Sequence, residues 1–410
     1  MSARESLALP VVRVHASLSP FSERFVPELS DGVYSILAQG VTATDSAFAT
    51  AYERARNLKR KNNTPAPPPP SSMNVAVVDS GVYSAGDAFF EARMGNSGNA
   101  QEGLGFVALT QGRPSTTGQH GSHVASIASS GTTMIRIFDA QVGSTQEGGS
   151  VKLSAWTTAF KWALEERARV VNVSIVCPWS EPAISALVNG NSNVLFLATS
   201  GNANTEFGAD YLRGLGLTEG NVLLVGGCSR DGSREHNRGF GDGIDVYVPS
   251  VQVPGRLSMA FAQQQNYERL RKLYREENAK LDKARELVRV TQQKLEADPE
   301  NARLKSALAR DQRFVSSGEA KLPVVPPSAA DLVLGPEYQQ VADDGVSFGI
   351  PMVANVAAKM MLIMPNITAR EVIQVMRATA RGDCSVGRVL DPSACYAEAL
   401  RRREQWVGRL

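Results

Sequence analysis

Between residues 73 and 228, short apolar runs alternate with stretches of helical periodicity, and this alternation constrains the fold more than any other feature. The runs are rich in β-branched residues, as in MNVAVVDSG, MIRIFDAQV, VVNVSIV, VLFLATSGN and VLLVGGCS. Helical stretches such as SAWTTAFKWALEERA lie between them. Strands that are apolar on both faces and separated by helices form a parallel sheet covered by helices on both sides. The pattern therefore predicts an α/β core of doubly wound type with a mostly parallel central sheet.

The charge balance argues against two classes of partner. Lysine plus arginine number 43 and aspartate plus glutamate 41, so the formal net charge is only +2. Binding to nucleic acid or to an anionic membrane surface usually needs a clear basic excess. We therefore expect no nucleic-acid partner, and any partner must be recognised locally.

Membrane and export signals are not evident in the sequence. We find no apolar run long enough to span a bilayer, and the first residues, MSARESLALPVVRVH, lack the apolar stretch and cleavage site of a secretory signal. A cytoplasmic location is the resulting expectation. The four cysteines have no CxxC spacing, which predicts buried free thiols rather than a zinc site or a disulfide framework.

A proline-rich stretch marks the first predicted domain boundary. Residues 64–72 read TPAPPPPSS. Successive prolines lack N–H donors and have a fixed φ, so they predict an extended spacer. We interpret residues 1–72 as an N-terminal extension, which is either a proregion removed by cleavage or a partner-binding arm.

Residues 255–323 are predicted to form a helical hairpin inserted into the core. A heptad-like seam of a coiled coil runs through Tyr267, Leu270, Tyr274, Leu281, Ala284, Val288, Thr291 and Leu295. Asp298 and Pro299 suit the N-cap and first turn of a second helix that folds back on the first. Because the first helix is much longer, we expect part of its apolar stripe to lack cover and to bind a protein partner or a second copy.

Three short segments combine a reactive side chain with small residues that can present it. They read VVDSGV around Asp79, GQHGSHVASIA around His120 and DDGVSFGIPMVA around Ser347. A carboxylate at the end of an apolar strand should point into the crevice at the carboxyl edge of the sheet. A serine hydroxyl is a weak nucleophile, so it needs an adjacent base, and that base needs a partner that sets its tautomer. One aspartate, one histidine and one serine are sufficient for this chemistry.

These segments resemble the three signatures of the subtilisin-like serine proteases, in the family's order of Asp, His and Ser. The sequence DSG from Asp79 matches Asp-Ser/Thr-Gly, and HGSHVA from His120 matches His-Gly-Thr-His-Val-Ala. The third segment, GVSFGIP from Gly345, is a looser match to Gly-Thr-Ser-Met-Ala-x-Pro. The resemblance implies that Ser347 is the nucleophile, His120 the general base and Asp79 the residue that orients the histidine.

Two further segments carry the resemblance into the binding site. LFLATSGN matches the family's strand ending in Gly-Asn, which implies that Asn202 and the backbone N–H of Ser347 stabilise the oxyanion. VVNVSIV resembles the strand that pairs with the extended substrate backbone. The expected substrate-binding residues are Ser174, Ile175, Val176 and Gly201.

The resemblance covers about residues 73–254 and 324–410, which would form the catalytic domain. It implies a subtilisin-like three-layer core with the helical hairpin 255–323 inserted into it. It also implies a serine endopeptidase that hydrolyses protein or peptide substrates through an acyl-enzyme, with no cofactor. The alternative is a catalytically silent scaffold that keeps the core and binds a protein partner through the hairpin.

Other candidate residues have weaker settings. Ser80 and His123 share a motif with triad residues, and we expect them to support those residues. His15 and His236 are the remaining candidates for a base, but neither lies in a comparable segment. Cys177 is a rival nucleophile without a matching histidine motif.

The sequence also departs from the family pattern. The stretch between the His120 helix and MIRIFDA is too short for the calcium-binding loop found in many relatives, so we expect no metal there. Where the family usually has Gly-Gly after the substrate-pairing Ser-Leu, this chain has Ser174-Ile175-Val176-Cys177, and side chains there should narrow the pockets beside the bound peptide.

Overall fold

The computed structural model describes most of the chain. The described residues are 12–13, 40–83, 87–99, 107–108, 119–142, 151–229, 232–319, 321–334, 340–384 and 387–410. They belong to two compact units, one holding 12–13 and the residues from 259 to 334, and the other holding the residues from 40 to 258 and from 340 to 410.

The larger unit is built on a ten-stranded sheet. The described strands of the chain are β1 (Val12–Arg13), β2 (Met73–Asp79), β3 (Met94–Asn99), β4 (Val107–Ala108), β5 (Ile135–Gln141), β6 (Val170–Val173), β7 (Leu195–Thr199), β8 (Val222–Cys228), β9 (Val246–Pro249), β10 (Val253–Arg256), β11 (Leu332–Val333), β12 (Gln340–Asp343), β13 (Arg381–Cys384) and β14 (Gly387–Val389). The order in the sheet is β13-β14-β9-β8-β7-β6-β2-β5-β3-β4. The eight strands from β14 to β3 are parallel, and β13 and β4 pair antiparallel at the edges.

Helices cover both faces of this sheet. The described α-helices of the chain are α1 (Gly40–Arg56), α2 (Ala88–Glu91), α3 (Gln119–Ala128), α4 (Leu153–Glu165), α5 (Pro182–Asn189), α6 (Tyr211–Gly214), α7 (Met259–Ala297), α8 (Ala302–Glu319), α9 (Val346–Ile363), α10 (Ala369–Thr379) and α11 (Pro392–Val407). Helices α3 and α9 join one hydrophobic cluster with one face of the sheet, and α4 and α5 join another cluster with the opposite face. The predicted three-layer α/β core with a mostly parallel central sheet is therefore confirmed.

Helix α9 is apolar almost throughout its length. By length and composition it could cross a membrane, which differs from our expectation that no run is long enough. However, 89% of it is buried inside the protein, because it packs on the sheet between other helices. A helix that is hydrophobic all round is expected at such a position in the core.

The proline-rich stretch is partly exposed, as expected of a spacer, but it also packs against the core. Ala66 is buried, and the carbonyl oxygen of Pro67 accepts a hydrogen bond of 2.6 Å from the buried side chain of Arg403. The hydroxyl of Tyr52 donates to the carbonyl oxygen of Pro70 at 2.8 Å. Prolines lack N–H donors, but their carbonyl groups are strong acceptors, and here donors from α1 and α11 bind them. Residues 40–72 therefore belong to the same compact unit as the sheet.

The smaller unit contains the long helices α7 and α8. The second helix begins at Ala302, with the side chain of Asn301 accepting from the amides of Arg303 and Leu304, so the predicted cap at Asp298 is wrong by three residues. The start of α8 lies close to the end of α7 in the sequence, whereas the last turn of α8 lies beside the middle of α7, where Arg285 bonds to Glu319 and a Cβ on Gly318 would lie 2.4 Å from Leu281. The two helices are therefore antiparallel.

The apolar stripe of α7 is better covered than its length suggested. Leu270 is buried in a cluster with Leu332 and Leu334, and the hydroxyl of Tyr267 donates to the carbonyl oxygen of Pro327 at 3.2 Å. The segment that follows α8 therefore covers the part of the stripe that α8 does not reach. Our expectation of an uncovered stripe is wrong for this part, although Tyr274 remains 40% exposed.

Candidate active site

Asp79 is the last residue of β2 and is completely buried. Its Oδ1 accepts a hydrogen bond of 2.6 Å from the amide of Ser80 and lies 2.8 Å from Nδ1 of His120. The residues before it are apolar because both faces of β2 are covered. The side chain at the end of the strand therefore reaches the carboxyl edge of the parallel sheet, where ligand sites of such sheets usually form.

His120 lies in the first turn of α3, and its side chain is 19% exposed. Its Nε2 is 3.0 Å from Oγ of Ser347. Burial alone would lower the pKa of His120, but the charge and hydrogen bond of Asp79, with the charge of Asp343, raise the pKa above its usual value. With the ring proton on Nδ1, the imidazole donates to Asp79 and leaves Nε2 to accept from the serine hydroxyl.

The turn after Asp79 is bound tightly to the start of α3. The hydroxyl oxygen of Ser80 accepts from the amide of Gly121 at 3.1 Å, and that of Ser122 accepts from the amide of Tyr83 at 2.8 Å. Gly81 has a φ of 102°, and a Cβ on Gly121 would lie 2.2 Å from its carbonyl oxygen. Two glycines are needed because the backbones touch here.

Ser347 lies in the first turn of α9, after Gly345, whose φ of 154° is unfavourable for other residues. The amide of Val346 donates to Oδ1 of Asn202 at 3.0 Å, and this bond orients the Asn202 amide. Nδ2 of Asn202 has no hydrogen-bond partner among the described residues and can still donate. The amides at the start of α9 also favour a negative charge beside Ser347.

The predicted substrate-binding residues differ in what they expose. Val176 lies beyond the end of β6 and is 81% exposed, which is unusual for a valine. Ser174 is buried, and its hydroxyl oxygen accepts from the side-chain amide of Asn172 at 2.8 Å, so only its backbone can meet a substrate. Gly201 has a φ of 75° and donates its amide to the Thr199 hydroxyl, which shapes the turn that carries Asn202.

His123, for which we expect a supporting role, is buried. Its Nε2 lies 3.1 Å from the carbonyl oxygen of Val253, and its Nδ1 lies 3.3 Å from Oδ2 of Asp343. The ring of Phe348 stacks on that of His123 at 4.2 Å and lies 4.9 Å from that of His120. Sequence reasoning did not assign the packing role of Phe348 or the proximity of Asp343, because neither residue type has a characteristic signal at these positions.

Two of the three rival residues lie in the part of the chain that the structure describes. Cys177 is buried, which raises the pKa of its thiol and disfavours the reactive thiolate. His236 is exposed, whereas His15 lies outside the described residues. In the part of the chain that the structure describes, no group of three or more His, Cys, Asp or Glu side chains could hold a metal ion.

Comparison with known proteins places the chain in a family. A family model described as the subtilase family matches residues 71–394. The chain belongs to the subtilase family. The matched range spans the positions of Asp79, His120, Asn202 and Ser347.

Individual relatives of this subtilase are distant. Subtilisin Savinase of Lederbergia lenta is 26% identical over 197 residues, which are 45% of this chain and 65% of that protein. An alkaline protease of Alkalihalobacillus alcalophilus is also 26% identical over 197 residues, and the chain covers about half of its length, at 46%. A solved cold-adapted subtilisin-like serine proteinase has a TM-score of 0.47 and 16% identity, covering 82% of this chain and 94% of that one.

Proposed function

We propose that this subtilase is a serine endopeptidase that hydrolyses protein or peptide substrates through an acyl-enzyme. The observation that carries the proposal is the continuous series of contacts from Asp79 Oδ1 through both ring nitrogens of His120 to Ser347 Oγ, at 2.8 Å and 3.0 Å. Both distances lie within hydrogen-bond range, so a proton can pass from the hydroxyl to the ring.

In the acylation step, Ser347 Oγ attacks the carbonyl carbon of the scissile bond while His120 Nε2 takes the hydroxyl proton. The imidazolium that forms is stabilised by the buried carboxylate of Asp79, which also keeps the ring in the correct tautomer. His120 then gives its proton to the leaving amine. In deacylation a water molecule repeats the attack, with His120 again acting first as base and then as acid.

The oxyanion of the tetrahedral intermediate would be bound by Nδ2 of Asn202 and the backbone N–H of Ser347. Support for this assignment comes from the Val346 bond, which holds the other end of the Asn202 amide and so preorganises the donor. Donors that are already oriented cost no reorganisation when charge develops in the transition state. Val176, exposed beyond β6, is available to contact the substrate.

A fluorophosphonate probe tests the proposal directly, because it reacts only with an activated serine. We expect the purified protein to be labelled and to cleave a protein substrate such as casein. Ser347→Ala and His120→Ala should abolish both activities, whereas Asn202→Ala should slow hydrolysis by about 10²–10³-fold.

Ser185→Ala is the matched control, since Ser185 lies on α5 and its hydroxyl bonds only to a local carbonyl group in the described residues. This variant should keep full labelling. A wild-type protein that is folded but never labelled would instead favour the silent scaffold, and labelling that persists in Ser347→Ala would exclude Ser347 as the nucleophile.

A further inference from the structure

A second carboxyl group lies behind the proposed triad. Asp139 is on β5, in register with Val77 of β2, two residues before the register partner of Asp79. Residues paired across parallel strands point to the same face, so Asp139 and Asp79 are diagonal neighbours on the face that α3 covers. Asp139 is only 1% exposed and Asp79 is fully buried.

The hydrogen bonds of Asp139 connect it to the catalytic turn. Its Oδ2 accepts from the amide of Val82 at 2.9 Å. Val82 lies three residues after Asp79, in the turn that Ser80 and Ser122 bind to the start of α3. Asp139 is thus the third side chain that holds this turn in place beside His120.

The other oxygen of each carboxyl group has no partner. Oδ1 of Asp139 and Oδ2 of Asp79 are buried without a hydrogen bond in the described part of the chain. Buried carboxylates are normally paired with a cation, and an unpaired one is costly unless it takes up a proton. Asp139 contacts no cationic side chain among the described residues. When Asp139 is ionised, no positive charge compensates its negative charge, and the charge of Asp79 repels it.

We propose that Asp139 is a positioning residue of the catalytic site, which holds the Ser80–Val82 turn in place and, through its charge beside Asp79, sets the protonation of His120. This inference depends on the triad proposed above and goes beyond it, because it adds a titrating group that does not touch the substrate.

The pKa of Asp139 depends on its burial and on two neighbours in this site. Burial raises the pKa of Asp139 to about 7; the bond from Val82 opposes the rise and the charge of Asp79 adds to it. The titratable groups on the elements around it are Asp79 on β2, Tyr83 in the turn, His120 and His123 on α3, Arg136 on β5 and Lys359 on α9. Lys359 pairs with Asp45. Arg136 is an odd number of positions from Asp139 and bonds to the carbonyl oxygen of Met94, so it faces away.

The direction of the effect follows from the signs of the charges. When Asp139 loses its proton, a second negative charge appears beside Asp79, and this charge favours the imidazolium form of His120. Removing the charge of Asp139 should therefore allow His120 to lose its proton at a lower pH.

Asp139→Asn tests this because the amide oxygen can still accept from Val82 but carries no charge. The readout is the titration of the His120 ring by NMR, which needs no activity and is assignable because the chain has four histidines. We expect the midpoint in Asp139→Asn to fall by roughly 0.5–1 pH unit, and the acid limb of the pH profile of kcat/KM to move with it. An unchanged midpoint in a folded variant would overturn the proposal, even if the wild-type protein proved to be inactive.

Asp139→Ala separates the positioning role from the charge. It should shift the His120 midpoint as Asp139→Asn does, but it should also lower kcat, because the bond to Val82 is lost. Equal kcat in the two variants would exclude the positioning role.

A stability measurement gives an independent check. Since the folded-state pKa of Asp139 is raised above the unfolded value, its contribution to stability is present at acid pH and is lost as the pH rises from about 4 to about 7. As the pH rises from about 4 to about 7, the unfolding midpoint of Asp139→Asn should therefore rise relative to that of the wild type. A constant difference would contradict the raised pKa.

Discussion

The segment 40–72 and the helices α7 and α8 both lie outside the stretches that resemble the family by motif, yet they differ in where one of their ion pairs lies. In the first region, Asp45 pairs with the buried Lys359 far away in the sequence, while Arg54 and Arg56 pair at the surface. In the second, charged side chains pair with neighbours on the same helix or across the hairpin, nearly all of them at the surface. Composition alone did not distinguish the two regions, because both look like polar helical segments added to an apolar core.

The N-terminal segment is part of the core. Phe48, Ala51 and Ala55 of α1 belong to the main hydrophobic cluster. Asp45 forms an ion pair of 2.6 Å with Lys359, which is 1% exposed and lies in the middle of the apolar helix α9. Removing this segment would leave a buried ammonium group without its partner, and such a charge is very costly.

The helical hairpin shows the contrasting pattern. The ion pairs within α7 are exposed and join residues three or four positions apart, and on α8 only the carboxylate of the Arg310–Asp311 pair is buried. Such pairs are screened by water and salt and contribute little to stability. The comparison teaches that the number of ion pairs in a region says little about how firmly it is held, because burial decides what each pair contributes.

The largest expected effect is that of removing residues 1–72. Because α1 and the proline-rich stretch fill part of the core, the truncated protein should fail to fold, as judged by circular dichroism and solubility. We also expect the N-terminus of active wild-type enzyme, measured by intact mass spectrometry, to lie at or before residue 40. A stable, active protein that starts at residue 73 would revive the interpretation of the whole extension as a removable proregion.

The next effect in size is that of breaking the buried ion pair. Asp45→Ala should lower the free energy of unfolding by about 3–5 kcal/mol, since it leaves Lys359 buried and unpaired. Urea denaturation measures this loss. The matched control is the double variant Asp45→Ala/Lys359→Met, which removes both charges and should recover most of the stability; a double variant as unstable as the single one would show that the charge is not the cause.

The smallest effect is expected in the hairpin. Arg285→Ala removes bonds to Asp282 and Glu319, all at the surface. We expect no measurable change in the unfolding midpoint, because water replaces these contacts. If Arg285→Ala lowered the free energy of unfolding as much as Asp45→Ala does, the two regions would not differ in how much their ion pairs contribute to stability.

Much of the catalytic core could be predicted because its signals are local. The alternation of apolar runs and helices is read within a few residues, and it led to the parallel sheet. Asp79, His120 and Ser347 lie in short motifs whose small neighbours have local reasons, such as the contact between Gly81 and Gly121. Their meeting at one edge of the sheet follows once the strands are parallel.

Two expectations missed contacts with residues that are distant in the sequence. The proline-rich stretch looked like a spacer because the donors that bind it, on Tyr52 and Arg403, are distant in sequence or carry no special motif. The stripe of α7 looked uncovered because Leu332, in the two-residue strand β11, and Leu334 follow the hairpin and are distant from Leu270 in the sequence. In both cases the structure shows a contact that the periodicity of the sequence does not predict.

The sequence by itself determined the class of sheet, the order of the reactive residues and the family, since apolar periodicity and short motifs depend on residues close together in the chain. Only the tertiary structure decided which charges are buried. Asp45 and Lys359 are 314 positions apart, and Asp139 meets the amide of Val82 from a different strand. The cost of a charge depends on its surroundings in three dimensions, and for these residues those surroundings come from distant segments that fold around them.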